Sequence, residues 1–311
     1  MEKNIIHNID FLNNSLPDKC AKLIIADPPY YQIKGDFDFI WKTFDDYLAD
    51  AENWMIECKR LLADNGTLFW WGDKRNLAYS QIILDNYFEL QNSLIWRKVD
   101  SMQYQYYSPD LARTFNTHNE RLLMYSSKEY EQNTFAEYLT QKIIENKISK
   151  KQIQVLYPSK TGGLTGCVSN WLNGDNIMTK EQYSILISVF GVDIFDREYE
   201  SLCAEYEQNR RFFYNDLKFE EVLEFSQEGH ITKEYDHDTK KPEKLTRALI
   251  RTCSRENDLV IVPFAGSGTE CAMSVKEKRN FVGFEITPKH AEMSNKRLQN
   301  ILRQPSLFAG M

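Results

Sequence analysis

The residues best suited to chemistry form one short stretch, Asp27-Pro28-Pro29-Tyr30. An apolar run at 23–26 precedes it and is typical of a short buried strand. Two prolines cannot continue a strand, and each biases its predecessor toward extended geometry. The pattern therefore predicts a stiff loop at a strand's carboxyl end, where open α/β sheets bind ligands. Its carboxylate, fixed carbonyls and aromatic ring could hold a planar ring that carries an amino group. The alternative is an ordinary turn with an incidental Asp and Tyr.

A second candidate stretch, 263–269, follows another apolar run and contains two glycines. Gly266 and Gly268 would allow close approach of a ligand to the backbone and positive φ angles. Glu285 follows about twenty residues later, after a further apolar run, where an acid can accept hydrogen bonds from ribose hydroxyls. This order of strand, glycine turn, helix, strand and acid predicts an adenosine-binding site. The candidate contacts are Phe264, Gly266, Ser267, Gly268, Thr269, Glu285 and Ile286.

A nicotinamide enzyme is the rival interpretation of this second stretch. That fingerprint needs a third glycine for close packing on a diphosphate, and Thr269-Glu270-Cys271 offers none. Glu270 would also place a negative charge beside a diphosphate at a helix N-terminus, which is unfavourable. An adenosyl ligand without phosphates, such as S-adenosylmethionine, fits better. A plain glycine turn between a strand and a helix is the structural alternative.

The composition is that of an ordinary globular protein, with 311 residues, 42% hydrophobic and 27% charged. This length allows one large domain plus an insertion. The net charge of −7 does not indicate a nucleic-acid binder, although local patches decide such binding. The six cysteines are scattered without a CxxC pair, so we expect no disulfide framework, no metal site and a reducing cytoplasm. We also expect neither a signal peptide nor a membrane span.

Strands and helices alternate in the first 130 residues and again from 235 to 303, which predicts an α/β fold with a largely parallel, doubly wound sheet. In the first stretch, strands are predicted at 5–6, 23–26, 67–71, 94–96 and 122–125, and helices at 11–16, 44–62 and 77–84. In the second, strands are predicted at 259–262 and 281–284, and helices at 242–252, from 269 to 278 and at 288–302.

The intervening residues, 131–234, have a different pattern. A helix is predicted at 137–148, and Ser149 with Gln152 and Thr179 with Gln182 form capping boxes that open two more. Thr165 could cap a further short helix. Several short helices joined by small turns predict a helix-turn-helix unit. Residues 195–235 indicate no particular element.

Together, the two motifs resemble those of the amino-group DNA methyltransferases. Their order along the chain, Asp27–Tyr30 before Phe264–Thr269, resembles the β class of that family. The segment 237–242 is similar to a segment that contacts the cofactor in this family. The resemblance therefore adds His237, Thr239 and Lys241 to the candidate cofactor contacts. The family commonly has Gly-Asp where this chain has His7-Asn8. Asn8 could still accept a hydrogen bond through its amide oxygen, or Asp10 could substitute.

The resemblance covers roughly 1–125 and 235–303 and implies a Rossmann-like, circularly permuted sheet of an S-adenosylmethionine-dependent methyltransferase with an inserted helical region. It implies four segments: a catalytic half at 1–130, an inserted target-recognition region at 131–234, a cofactor-binding half at 235–303 and a tail at 304–311. It further implies a cytoplasmic, bacterial or phage-encoded enzyme that acts on double-stranded DNA, and in this family homodimers are common. Whether a partner nuclease exists stays open.

The resemblance also implies a mechanism in which the target base leaves the duplex. The Asp27 carboxylate and the Pro28 carbonyl would accept hydrogen bonds from the two N–H groups of an adenine amine. Asp27 also belongs to the cofactor contacts that the resemblance implies. Tyr30 would stack on the base, and Pro29 would keep the loop rigid. In this family Asp at the first motif position favours adenine N6, and Ser is commoner for cytosine N4. A cytosine-N4 or RNA amino methyltransferase, or a DNA-binding regulator without catalysis, remain alternatives.

Two segments are candidates for DNA contact. In the middle region, lysines and small polar residues could contact phosphates or bases, although a solvated helical face would look the same. The aromatic stretch at 102–107 could fill the gap left by a flipped base, or it could be an ordinary strand. The candidates are Lys150, Lys151, Lys160, Thr161, Thr165, Ser169, Asn170, Gln103 and Tyr104.

The tail carries an apolar pair, Leu307-Phe308, within Gln304-Pro305-Ser306-Leu307-Phe308. This pattern resembles the short peptides that dock on the bacterial replication sliding clamp. In such a peptide the apolar pair would fill a hydrophobic pocket. Folding of Leu307 and Phe308 back onto the protein's own surface is the alternative.

Overall fold

A computed structural model describes residues 1–33, 38–99, 119–129, 134–159, 166–226 and 241–303. The chain divides into two compact units. The first unit, Met1–Tyr130 with Phe212–Met311, contains both candidate stretches, and the second unit is Glu131–Arg211. No helix among the described residues is long and apolar enough to cross a membrane.

The first unit is built on an eight-stranded sheet with the strand order β1-β8-β7-β2-β3-β5-β4-β6. Neighbouring strands run parallel except for β5, which is antiparallel to both β3 and β4. The strands are β1 (Ile6–His7), β2 (Ala21–Ala26), β3 (Leu62–Gly72), β4 (Phe88–Lys98), β5 (Asn119–Ser127), β6 (Val222–Phe225), β7 (Leu259–Val262) and β8 (Asn280–Phe284).

The helices of the described residues are mostly those that the apolar periodicity predicts. They are α1 (Phe44–Leu61), α2 (Leu77–Tyr87), α3 (Thr134–Glu145), α4 (Lys150–Gln154), α5 (Cys167–Asn173), α6 (Lys180–Phe190), α7 (Tyr199–Asn209), α8 (Glu243–Cys253), α9 (Thr269–Lys276) and α10 (Pro288–Arg303). The helix predicted at 11–16 is only a 3-10 turn, Phe11–Asn13. The turn is short because Asp10 caps its start, and Asn14 already has extended backbone angles before Pro17 is reached.

The centre of the sheet places the two candidate loops side by side. Strand β2 pairs in parallel with β7, with Ile24 opposite Ile261. Its side chains alternate between two cores, Leu23 and Ile25 on one face and Ile24 and Ala26 on the other. Because both faces are buried, the strand is continuously apolar. Since parallel strands end at the same edge, the loop after β2 and the loop after β7 leave the sheet together.

The sheet also receives a strand that the sequence did not predict. Strand β6 pairs in parallel with β4, with Trp96 opposite Leu223, and it forms an edge of the sheet. Residues 212–226 therefore belong to the first unit, whereas the predicted insertion ran to 234. Only Leu223 of β6 is buried, so its sequence lacks the continuous apolar run of the central strands.

The second unit has a core of its own. Helices α3 to α7 lie within it, and Phe135, Leu139, Trp171 and Tyr183 are among the side chains that fill its centre. Both predicted capping boxes are confirmed, at Ser149 for α4 and at Thr179 for α6. Each box satisfies two backbone N–H groups that would otherwise lack partners at a helix start.

Candidate active site

The loop after β2 closes on itself through Asp27. The Tyr30 hydroxyl donates a hydrogen bond to Asp27 Oδ1 over 2.7 Å. The Tyr30 backbone N–H donates to Asp38 Oδ1 over 2.6 Å, and Asp38 is buried. Pro28 is buried as well. These contacts fix the position of both the carboxylate and the aromatic ring, as the two prolines predict.

Lys241 binds the other oxygen of Asp27. Its Nζ lies 2.6 Å from Asp27 Oδ2 and 3.2 Å from Glu120 Oε2. Only 5% of the lysine side chain is exposed, and its Nζ lies 4.7 Å from the ring centroid of Trp71. Glu120 in turn pairs with Lys98 over 2.6 Å. The result is a row of alternating charges that runs from Lys98 to Asp27.

The charged groups in this row stabilise one another's ionised forms. Burial alone would lower the pKa of Lys241, but the carboxylates of Asp27 and Glu120 outweigh it and raise that pKa above its usual value. Burial would raise the pKa of Glu120, but Lys241 and Lys98 outweigh it and lower that pKa. Burial and the Asp27 charge raise the pKa of Tyr30 well above its usual value. At neutral pH Lys241 and Glu120 therefore stay charged, and the Tyr30 phenol stays a hydrogen-bond donor.

The loop after β7 depends on its glycines. Gly266 and Gly268 have φ angles of 47° and 70°, in the left-handed region that favours glycine. A Cβ atom on Gly268 would lie only 2.9 Å from the Cβ atom of Ser294 on α10. The Ser294 hydroxyl also donates to the Gly266 carbonyl over 2.7 Å. The loop thus packs tightly between the start of α9 and α10.

Glu285 is held at the end of β8 beside this loop. Its Oε2 accepts from the Gly266 N–H over 2.9 Å, and its Oε1 accepts from the Thr287 N–H over 2.8 Å. Each carboxylate oxygen can accept a second hydrogen bond. The fixed carboxylate can therefore accept from a pair of ligand hydroxyls, such as those of a ribose.

Asn8 and Ile286 complete this region. The Asn8 side-chain N–H groups donate to the carbonyls of Glu285 and Ile286, over 2.8 and 3.0 Å. This orientation leaves the amide oxygen of Asn8 as the acceptor for a ligand. The Ile286 residue is 68% exposed and offers an apolar surface next to Glu285. A ribose acceptor, a further polar acceptor and an apolar surface suit an adenosyl group.

Other predicted cofactor residues face the protein interior. Ser267 and Thr269 are buried, and their hydroxyls bond each other over 3.0 Å. The Phe264 ring packs edge-on against Trp54, with 4.9 Å between the ring centroids. These side chains shape the loop, so a ligand would meet backbone atoms here.

Several predicted site residues are not in the first unit or not among the described residues. Lys150 and Lys151 lie exposed on α4, and Ser169 and Asn170 lie on α5, all in the second unit. The predicted contacts that lie outside the described residues are His237, Thr239, Lys160, Thr161, Thr165, Gln103, Tyr104 and the tail from Gln304 to Phe308.

The sequence interpretation missed Glu120, Lys98 and the burial of Glu270. Glu120 stands just before the apolar run of β5, and a charge beside a buried strand is the signal that could have found it. Lys98 joins it because β4 and β5 pair with Trp96 opposite Glu120. Among the described residues, no group of three or more His, Cys, Asp or Glu side chains is arranged to hold a metal ion.

The comparisons with known proteins show the family to which the chain belongs. The family model N6_N4_Mtase, described as DNA methylase, matches residues 21–296. The chain belongs to this family of DNA methylases. It is similar to the Type II methyltransferase M1.MboII of Moraxella bovis, 26% identical over 95% of this chain and 96% of the relative. It is also similar to the DNA adenine methyltransferase YhdJ of Escherichia coli, 25% identical over 95% of this chain and 82% of the relative.

Solved structures show the same fold. The chain is similar to the PvuII DNA methyltransferase, which is described as cytosine-N4-specific. The match covers 96% of this chain and 92% of the PvuII enzyme, with a TM-score of 0.54 and 13% identity. It is also similar to M1.HpyAVI in its complex with SAM. That match covers 89% of this chain and 88% of M1.HpyAVI, with a TM-score of 0.51 and 17% identity. The described sheet and helices therefore form the mixed α/β fold of S-adenosylmethionine-dependent DNA methyltransferases.

Proposed function

We propose that this DNA methylase transfers a methyl group from S-adenosylmethionine to the exocyclic N6 amine of an adenine in double-stranded DNA. The observation that carries the proposal is the anchored Asp27 carboxylate, which Lys241 and Tyr30 hold at 2.6 and 2.7 Å at the carboxyl end of β2. The neighbouring loop, with Gly266, Gly268 and Glu285, suits an adenosyl ligand.

The protein's task on the DNA side is to hold an amine that is a poor nucleophile, because its lone pair is delocalised into the ring. Asp27 and the Pro28 carbonyl accept its two N–H bonds. These bonds favour a more tetrahedral nitrogen and stabilise the positive charge that develops on it. The base must first leave the duplex, at a cost of a few kcal/mol. Stacking on the Tyr30 ring returns about 1–3 kcal/mol of that cost.

Lys241 keeps the acceptor in place during this work. A lone buried carboxylate would be costly to desolvate and free to rotate. Paired with Lys241 and hydrogen-bonded to Tyr30, the Asp27 carboxylate keeps one orientation before the base arrives. The second lone pair on each of its oxygens remains for the amine. Catalysis therefore rests on positioning and electrostatics, and no protein nucleophile is used.

On the cofactor side, Glu285 accepts from the ribose hydroxyls, the Asn8 amide oxygen accepts a further hydrogen bond from the adenosyl group, and Ile286 packs against it. Gly266 and Gly268 let the backbone approach the ligand. When bound, the cofactor supplies an electrophilic methyl group. The circularly permuted order follows from this assignment, because the strand that precedes Asp27 comes earlier in the chain than the cofactor loop.

Adenine is the preferred base for two reasons. Asp27 occupies the first motif position, where the resemblance to the β class favours adenine, and YhdJ is named an adenine methyltransferase. Cytosine N4 is the second candidate, and the fold likeness to the PvuII enzyme favours it. Both amines present two N–H bonds, so the same acceptors could hold either.

Recognition of the DNA sequence belongs to the second unit, 131–211. This unit has its own core and exposes Lys150, Lys151 and Asn170 on α4 and α5. Lysines contribute affinity through phosphates, and an amide side chain can read a base edge. These contacts offset the overall charge of −7.

Asp27→Asn tests the catalytic assignment. We expect methyl transfer to DNA to fall at least about 100-fold, because a neutral amide accepts weakly and its NH2 group faces Lys241. Binding of S-adenosylhomocysteine, measured by calorimetry, should change by less than about threefold, or ~0.7 kcal/mol. Asp18→Asn is the control, since Asp18 is an exposed partner of Arg60. Near-normal transfer by Asp27→Asn would refute the assignment.

A further inference from the structure

A small cavity lies beside the candidate active site and takes no part in the proposed methyl transfer. Its volume is about 230 Å³, and its lining belongs entirely to the first unit. Three aromatic rings and three polar side chains form that lining: Tyr31, Phe44, Tyr79, Gln32, Arg75 and Asn76. Pockets that combine aromatic rings with a few polar groups are typical ligand-binding sites.

The cavity adjoins the loop after β2 but faces away from the place proposed for the target base. Strands β2 and β3 run parallel with Ala26 opposite Trp70, so the loops that follow them leave the same edge of the sheet. Tyr31 comes from the first of these loops and Arg75 from the second. Tyr30 packs against one core of the sheet and Tyr31 against the other. A ligand in the cavity would therefore lie close to the target base without competing for its place.

Phe44 stands between the other two rings of the cavity. Its ring centroid lies 5.4 Å from that of Tyr31 and 5.0 Å from that of Tyr79. Tyr79 is 51% exposed, so its ring is accessible from solvent. Every nucleobase has a flat face that can stack on such a ring, whatever the DNA sequence.

The loop that carries Arg75 is fixed by its own hydrogen bonds. Asp73 Oδ1 accepts from the backbone N–H groups of Arg75 and Asn76, over 2.8 and 3.1 Å. The side-chain oxygen of Asn76 accepts from the Asp73 N–H over 2.9 Å, and its NH2 group donates to the Tyr47 hydroxyl over 2.8 Å. Asn76 and Tyr47 are both buried. The loop is therefore held in one conformation before a ligand binds.

Two exposed cations on this loop have no acidic partner. The side chains of Lys74 and Arg75 form neither a hydrogen bond nor an ion pair with any residue in the described ranges. The carboxylate of the same loop, Asp73, is already engaged by backbone N–H groups. Arginine binds phosphates through two parallel N–H bonds. Aromatic rings beside a free arginine match the two parts of a nucleotide, a flat base and an anionic phosphate.

We propose that this cavity binds a nucleotide that flanks the target on the same DNA strand. Its base stacks on the rings of Tyr31 and Tyr79, and its phosphate binds Arg75. The inference rests on the proposed function, since a target base held at Asp27 brings the neighbouring nucleotides to this edge of the sheet. The contact stabilises the distorted strand that extrusion of the target requires. Because stacking and phosphate contacts do not depend on sequence, the cavity adds affinity and leaves sequence choice to the second unit.

DNA binding tests the proposal without methyl transfer. The probe is a fluorescent duplex with the site that the protein itself methylates, identified by sequencing its products on random-sequence DNA. Anisotropy titrations contain S-adenosylhomocysteine, which carries no methyl group to transfer. We expect Arg75→Gln to weaken binding and to lower the slope of log Kd against log salt concentration by about 0.9, since one phosphate contact is lost.

Tyr79→Ala should act on the same duplex in a different way. We expect it to weaken binding at least about fivefold and to leave the salt slope unchanged, because it removes stacking and no charge. Tyr79→Phe should bind as tightly as the wild type, since its ring still stacks. Binding of S-adenosylhomocysteine alone should be the same for all three variants.

Modified duplexes identify the nucleotide that the cavity holds. An abasic residue is placed in turn at each position that flanks the target. At one position the wild type should bind more weakly, and Tyr79→Ala should weaken binding no further, because the ring and the base belong to one contact. A neutral methylphosphonate at the same nucleotide should likewise abolish the effect of Arg75→Gln.

Tyr214→Ala and Arg303→Gln are the matched controls. Tyr214 is 62% exposed on the same unit, and its N–H donates to the Thr252 carbonyl near the end of α8. Arg303 is the last residue of α10, about 24 Å along the helix from Pro288, which follows the carboxyl end of β8. Both variants should bind the duplex as the wild type does.

The outcomes separate this inference from the proposed function. If the wild type methylates DNA but Arg75→Gln and Tyr79→Ala change neither Kd nor salt slope, the inference is wrong and the proposed function stands. If the effect of Tyr79→Ala adds to that of every abasic position, the ring contacts no flanking base and the inference is again wrong. If the wild type methylates no DNA, the proposed function and this inference both fail.

Discussion

Among the described residues, two side chains bind Asp27, and each of them occupies one of its carboxylate oxygens. Tyr30 binds Oδ1 and Lys241 binds Oδ2. Lys241 depends in turn on Glu120, whose carboxylate lies 3.2 Å from its Nζ. The carboxylate that we propose as the acceptor for the target amine is thus held by residues from three separate parts of the chain. Glu120 is a positioning residue, because it acts on Asp27 only through Lys241.

Glu120→Gln should lower the turnover number about 10-fold and leave the Michaelis constant of the cofactor unchanged. The reason is that Lys241 loses one of two charged partners, and such hydrogen bonds contribute about 1.5–3 kcal/mol each. Steady-state kinetics on a DNA substrate measure the turnover number and the Michaelis constant separately. Glu120→Asp should restore part of the turnover, because the charge returns.

Glu224→Gln is the matched control for this variant. Glu224 also pairs with a cation, Arg97, over 2.8 Å, but both side chains are 55% exposed, and such surface pairs contribute little. Equal turnover for Glu120→Gln and the wild type would show that Lys241 holds Asp27 without Glu120.

At the scale of elements, the glycine loop between β7 and α9 is the most demanding part of the fold. Gly268 combines a φ of 70° with a neighbouring Ser294 side chain that leaves no room for a Cβ atom. Gly268→Ala should therefore lower the free energy of unfolding by at least about 1–2 kcal/mol, the cost of a left-handed conformation alone. Urea denaturation measures this change.

Gly166→Ala provides the comparison for that substitution. Gly166 precedes α5 with a φ of −73°, and a Cβ atom there would meet no heavy atom of the described residues within 4 Å. Its unfolding free energy should change by less than about 1 kcal/mol. If the two alanine variants were equally stable, the strain at Gly268 would not exist.

The elements that position the site could be predicted from the sequence because the central strands form continuous apolar runs and the helices carry a regular apolar face. Strand β7 has the predicted limits, and α1 and α10 end within one residue of theirs. Strand β6 escaped prediction because its single buried residue, Leu223, gives no apolar run, and its place in the sheet depends on the distant β4. Helix α7 has likewise one buried residue, Leu202.

The site likewise contains residues that lie in short sequence motifs and residues that only the fold brings together. Asp27, Tyr30 and the glycine loop stand in short motifs, so their chemistry could be inferred from spacing. The row from Lys98 through Glu120 to Lys241 joins residues far apart in the chain, and only the pairing of strands brings them together. Glu270 was interpreted only as an argument against a diphosphate, since its burial depends on the packing of α9 against α8 and α10.

At the scale of the whole molecule, one unit carries the catalytic sheet and the other a separate helical core, and this division suits an enzyme that modifies one base within a recognised DNA sequence. The central claim concerns which base that is. The family holds enzymes of more than one specificity, and the acceptors around Asp27 could serve either amine.

The most direct test is mass spectrometry of nucleosides after the purified protein has acted on random-sequence duplex DNA with S-adenosylmethionine. A preparation of Asp27→Asn treated in the same way gives the background. The account predicts N6-methyldeoxyadenosine, with no increase of N4-methyldeoxycytidine above that background. N4-methyldeoxycytidine as the product, or no methylated nucleoside at all, would contradict it.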